Sequence, residues 1–286
     1  MNLSRTDLAV ETAEALPTGR DMFAPGTGVT KSECLLCGCP VTRIHVHTPA
    51  GARAIGKPEG RYITIDLRPA LSRQEALTGR AALCLCRELR ALLPPPSDGP
   101  ALVVGLGNDA MTPDAVGAAA LEHLLVTRHM VRSMPRQFGA LTPVAALATG
   151  VLARTGVETL ELIRGAADRL HPSVVIAIDA LAARSRHRLC ATVQLGDTGL
   201  IPGSGVGNHR RAIDRRALGV PVIAIGVPTV IDGAALRDED APPSGLFVTP
   251  QDIDHRVREL GRLIGMGVTL ALQPNLTLED VNALTG

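Results

Sequence analysis

The sequence predicts an α/β protein, a twisted and largely parallel sheet flanked by helices. Three observations carry this. Short apolar runs at Ala101–Leu106, Ser173–Ile178 and Pro221–Val227 suit strands covered on both faces. Segments with apolar residues at helical spacing lie between them, such as Leu160, Leu162, Ile163 and Ala166. Strand and helix then alternate, the order that crossover connections produce.

A chain of 286 residues buries about three quarters of its unfolded surface on folding. The core must be aliphatic, because there is no Trp, one Tyr and three Phe. A formal net charge of +1 gives no electrostatic argument for nucleic acid or an anionic membrane. No run of 18 apolar residues suggests a spanning helix. The first sixteen residues carry acids and lack the apolar stretch of a secretion signal. A cytoplasmic location is expected. Lys31 and Lys57 are the only lysines; every other basic residue is Arg.

In chain order, residues 1–30 are weakly patterned and read as a mobile N-terminal segment. Val41–Thr48 and Tyr62–Leu67 read as strands, the first with Ile44 and Val46 on one face and His45 and His47 on the other. Ser72–Glu75 is a capping box for a helix through Leu92, which Pro94–Pro100 stops. Gly107 and Asn108 turn the chain after the strand 101–106. Thr112, with Pro113 behind it, predicts the start of a helix running toward His129. Thr155–Glu158 is a second capping box, opening a helix that ends before Pro172. The strand that comes next stops at Asp179, and Arg188–Leu195 alternates like another strand. Residues 233–246 read as a polar loop. Thr249-Pro250 opens a helix through Ile253, Val257, Leu260 and Ile264, and a last short helix begins near Thr277.

Cys34, Cys37 and Cys39 have a metal-like spacing that Cys84 and Cys86 can complete. The plainer reading is reduced thiols, since cysteines two apart on a helix point away from each other. His45 and His47 can ligate metal or simply face solvent. Asp197-Thr-Gly199 matches the triplet of all-β aspartic proteases, but in an α/β pattern it reads as a turn. Gly203–Asn208 is either a backbone nest for an anion or peptide, or a tight turn. Ser185 and His187, two apart on a loop, do not make a nucleophile and base by themselves.

The main candidates are Asp114 and Asp179. Each stands at the end of an apolar strand, where sites collect in open α/β sheets. Asp114 alone also suits the first turn of a helix, as a dipole partner. Two carboxylates facing one crevice tend to share a proton. That suits amide hydrolysis, where one acid activates water and the other delivers a proton. Gly105-Leu-Gly107 lacks the third glycine of a dinucleotide fingerprint.

These blocks resemble the spore germination protease of endospore-forming bacteria. They are Arg5–Glu11, Val104–Asn108 with Thr112–Ala115, Thr155–Thr159, Ile178–Ala182 with Arg184-Ser185, Gly196–Gly199, Pro202–Asn208 and Pro221–Thr229. The resemblance implies an endopeptidase that degrades small acid-soluble spore proteins during germination. It implies catalytic aspartates at Asp114 and Asp179, no cofactor, a homotetramer, no direct contact with nucleic acid or membrane, and a place in the forespore or spore core. It also implies an inactive precursor cut between Asp7 and Leu8, so that 1–7 is a propeptide and 8–286 a single peptidase domain. The chain departs from the family at Ala118, where Pro is usual, in the segment before Thr155 and in a shorter loop after Asp232. Cys34–Cys39 looks like an addition. The same blocks more distantly resemble hydrogenase-maturation endopeptidases, whose fold is a twisted sheet flanked by helices and whose acids bind nickel. That leaves a metal-dependent or metal-recognising peptidase as the alternative, with His129 or His209 joining the acids.

Overall fold

In a computed structural model of the chain, β4 (Ala101–Leu106) and β6 (Val174–Ala183) lie side by side and parallel. The residues described are 6–14, 23, 26–71, 77–207, 210–239, 241–242 and 244–285. The other strands are β1 (Val29–Leu36), β2 (Cys39–Val46), β3 (Gly60–Asp66), β5 (Val144–Gly150), β7 (Thr192–Gly196), β8 (Val222–Asp232) and β9 (Phe247–Val248). Together they form one sheet in the order β1-β2-β3-β7-β8-β6-β4-β5, with β9 on β8. The α/β class is the expected one, and the sheet is mixed. β8, β6, β4 and β5 run parallel, whereas β1, β2, β3, β7 and β8 pair antiparallel.

Side-chain alternation divides the parallel strands between two cores. Val103, Ile176 and Ile178 face one core, with Leu85 and Leu89 of the helix Leu77–Leu92 and Leu260 and Ile264 of the helix Ile253–Leu272. Leu102, Val104, Val175 and Ala177 face the other, against Leu160 and Ile163 of the helix Thr159–Leu170. Every residue of β4 is buried, which is why it reads as an unbroken apolar run.

Several expectations change. Residues 6–14 are not a loose tail: Ala9–Glu14 is a helix, and Leu8, Ala9, Val10 and Ala13 are buried against Val29, Ile44, Val46, Ile55, Tyr62 and Ala183. β6 does not stop at Asp179 but continues to Ala183 alongside β8. What ends there is pairing with β4, whose last partner on β6 is Ile178. The single helix expected from Thr112 is a one-turn 3-10 segment, Thr112–Asp114, followed by Val116–Glu122 and Arg128–Ser133. Beyond it, Thr127 donates its backbone N–H to Val144 (3.1 Å) and its hydroxyl to Thr142 O (2.6 Å), bonding the chain to the start of β5 instead of continuing the helix. Thr155 caps no helix; it ends the short helix Leu152–Thr155, and Glu158 precedes the next one without a side-chain cap. The Ser72–Glu75 capping box lies outside the described residues.

Candidate active site

Asp114 and Asp179 line one cavity of about 520 Å³. Its walls include Gly107, Asn108, Gly150, Leu181, Gly205, Thr229 and, from the N-terminal segment, Asp7. Two glycines bring the acids together. A side chain at Gly117 would lie 2.4 Å from Leu106 O and 2.7 Å from Ile178 O. The first turn of its helix therefore rests directly on the carboxyl end of β4 and on Ile178, the last residue of β6 that pairs with β4. Gly107, at φ +94°, passes so close to Asp114 that a Cβ would sit 2.0 Å from its carbonyl oxygen. Only glycine takes that backbone and that contact together.

The two acids differ in environment. Asp179 is 5% exposed and accepts from Ala180 N at 2.9 Å. Burial, reinforced by the carboxylates of Asp114 and Asp7, pushes it well above the usual carboxylate range. Asp114 is half-buried and accepts from Asn108 N at 2.7 Å. Burial raises it too, against the opposing pull of that N–H. Thr229 is fully buried on the same wall, and its hydroxyl has no hydrogen-bond partner among the described residues.

The N-terminal segment occupies the cleft. Asp7 stands between the main cavity and a second of about 330 Å³, which also contains Asp179, Lys57, Tyr62, Gln194 and Ser204. Its N–H donates to Ala182 O at 3.2 Å. Its carboxylate accepts from Ala182 N at 3.0 Å and from the Ser204 hydroxyl. A side chain at Gly205 would come within 2.2 Å of that carboxylate, so glycine there leaves room for the acid. The carbonyl oxygen of Asp7 accepts from Lys57 Nζ at 3.0 Å and Gln194 Nε2 at 3.1 Å. Leu8, on the other side of the peptide bond, is fully buried, and its N–H donates to Thr6 Oγ1 at 3.0 Å. The Thr6 hydroxyl in turn donates to Glu11. Glu11 also accepts from Arg184 N at 2.7 Å and Ser185 N at 2.9 Å. Burial raises its pKa despite those donors and nearby Arg188.

The remaining candidates fall elsewhere. Asp197 accepts from Arg61 N and Arg61 Nε, each at 2.7 Å, and anchors the start of β3 as part of a turn. Gly203–Gly207 forms a tight 3-10 turn that carries Ser204 to Asp7; Asn208 and His209 lie outside the described residues. Ser185 uses its backbone N–H on Glu11. Cys37 and Gly38, both at positive φ, make the β1–β2 hairpin turn. Cys34 is exposed, whereas Cys39 is buried and hydrogen-bonded to Cys84. His45 and His47 are exposed, and His47 pairs with Thr30. His129 lies on the helix Arg128–Ser133, away from the walls described for either cavity. Among the described residues, no three His, Cys, Asp or Glu side chains group as metal ligands do.

Sequence reasoning missed Lys57 and Gln194 as cleft residues, whereas Ser204 lies in the Gly203–Asn208 loop already weighed as an anion or peptide site. Lys57 and Gln194 each had a signal. Lys57 is one of two lysines in a chain that otherwise uses arginine, and Gln194 is a polar residue between Val193 and Leu195.

Residues 7–242 match the family model described as Germination protease. A germination protease of Clostridium perfringens is 36% identical, the match covering 97% of this chain and 98% of the relative. One from Caldanaerobacter subterraneus is 38% identical, over 98% and 97%. That of Bacillus subtilis is 37% identical, over 98% of this chain and 76% of the relative. By these matches the protein is an endopeptidase. More narrowly, the chain belongs to the germination protease family.

Proposed function

We propose that this endopeptidase degrades small acid-soluble spore proteins during germination, using Asp114 and Asp179 to activate water. It is made as a precursor that cuts its own chain between Asp7 and Leu8, releasing 1–7 and leaving 8–286 as the peptidase domain. By family resemblance it works as a homotetramer in the spore core. No helix among the described residues is long and apolar enough to cross a membrane.

The observation that carries this reading is the placing of Asp7, which lines the larger cavity with both acids and whose carbonyl oxygen is held by Lys57 and Gln194 in the adjoining one. The roles follow from the environments. Asp114, exposed enough to meet solvent and hydrogen-bonded by Asn108 N, is the base. Asp179, held protonated by burial and neighbouring charge, is the acid. Water adds to the Asp7 carbonyl carbon as Asp114 takes its proton. Asp179 then protonates the Leu8 nitrogen as the C–N bond breaks.

Incubating the purified full chain tests this. The expected product begins at Leu8, and Asp114→Asn leaves the chain intact. A different new N-terminus, or undiminished cleavage in the variant, rejects the assignment. Digestion of an added small acid-soluble spore protein tests the substrate.

A further inference from the structure

We infer that Lys57 and Gln194 are the electrophilic half of the site, holding the oxygen of the carbonyl under attack and taking its charge in the transition state. The inference rests on the Asp7–Leu8 reading above and adds to it the groups that the two acids lack.

Three observations carry it. Two donors, Lys57 Nζ at 3.0 Å and Gln194 Nε2 at 3.1 Å, converge on the single oxygen of Asp7. That is the arrangement that stabilises an oxyanion. The Gln194 amide is also fixed from its far end, where Oε1 accepts the N–H of Ala9 at 2.6 Å. An N–H can only be met by the oxygen, so the amino group must face the carbonyl. One side chain thus spans the bond, gripping the residue before it and the residue two beyond.

The sheet register supplies the third observation. Asp179 on β6 and Gln194 on β7 both pair with Gly226 of β8. Residues directly opposite across strands share a face, so acid and amide rise from the same surface. Two strand spacings, about 9–10 Å, separate their backbones. Lys57 reaches the oxygen from outside the sheet. Gly56, at φ +66°, caps the helix Pro49–Ile55 and turns the chain toward the cleft. A lysine ammonium is a compact charge, unlike the planar arginine fork, and the chain spends one of its two lysines here.

The step balances with one water. Its oxygen bonds to the Asp7 carbonyl carbon, its proton passes to Asp114, and the carbonyl π pair moves onto the oxygen facing Lys57 and Gln194. Collapse restores the C=O and breaks C–N, with the Leu8 nitrogen taking the proton of Asp179.

Carbonyl-13C aspartate and 15N-leucine mark only Asp7–Leu8 and Asp66–Leu67, the two Asp-Leu bonds in the chain. Loss of the first NMR signal therefore times the cut, and the second reports the fold. Lys57→Met and Gln194→Glu are each expected to slow the cut by about 10²–10³. Gln194→Glu keeps an acceptor for Ala9, so the segment stays docked while the donor is lost. In the uncut Asp114→Asn chain, the same substitutions should move the Asp7 carbonyl resonance toward the position of an unbonded carbonyl and leave Asp66 unmoved. Cleavage within threefold of the parent, or an unmoved Asp7 resonance, overturns the assignment. A parent that cuts alongside equally fast variants sinks only this inference; a parent that never cuts sinks the aspartate reading with it.

Discussion

The two halves of the sheet do different work. The parallel half, β8-β6-β4-β5, is covered on both faces over most of its length and carries Asp179 on β6 and Asp114 just beyond β4. The antiparallel half, β1-β2-β3-β7, lays one face under the N-terminal helix, and it brings Lys57 before β3 and Gln194 on β7. β8 belongs to both halves, and its Gly226 is the point where they meet. The acids thus come from one half and the donors on the Asp7 carbonyl from the other, with the N-terminal segment bonded to both.

The most severe break is made on the parallel side. Asp114→Asn or Asp179→Asn should lower cleavage of a spore-protein peptide by about 10²–10⁴, with an unchanged circular dichroism spectrum. Activity within tenfold of the parent would remove that acid from the mechanism. On the antiparallel side, Leu8→Ala empties a fully buried position. It should cost about 2–5 kcal/mol, read as faster amide exchange over Ala9–Glu14. Unchanged exchange would mean that the segment is not held by this side chain.

Gly107→Ala strains the turn that seats Asp114 and should cost about 1–3 kcal/mol in denaturant unfolding, together with activity. A smaller effect of known sign separates the acids. Because burial raises the pKa of Asp179, its protonated form favours the fold. That stability is full below the ordinary carboxylate pKa and is lost as pH rises through the raised value. Asp179→Asn cannot ionise. It should gain on the parent as pH rises through that window, by about 1.4 kcal/mol for each pH unit that the window spans. A constant difference across pH would contradict a raised acid. Least of all, His47→Ala on the exposed face of β2 should change stability by under about 0.5 kcal/mol in thermal unfolding and leave cleavage alone.

The same contrast explains what could be read in advance. β4, β6 and β8 were legible because burial on both faces selects continuous aliphatic residues. Asp179 stood out because a carboxylate interrupts such a run. β1 was missed because its side chains from Thr30 to Leu35 are exposed, so no apolar pattern marks it. β5 sits at the sheet edge with mixed burial and left a similarly faint trace. The helix at Ala9–Glu14 was missed because it is six residues long and is stabilised by contacts far away in sequence. Lys57 and Gln194 escaped for a related reason. Their meeting point is a backbone oxygen, and no side-chain pattern records where a carbonyl will lie.

The full burial of Leu8 shapes the aftermath of a cut. Hydrolysis at this bond replaces one neutral amide with an ammonium on Leu8 and a carboxylate on Asp7. The first arises on a fully buried residue, whereas the second includes the oxygen that Lys57 Nζ and Gln194 Nε2 already hold. One new ion is poorly solvated where it forms, and the other is paired. On the proposed reading, the severed Leu8 end is therefore the one driven toward water, while the shed peptide lingers on the lysine.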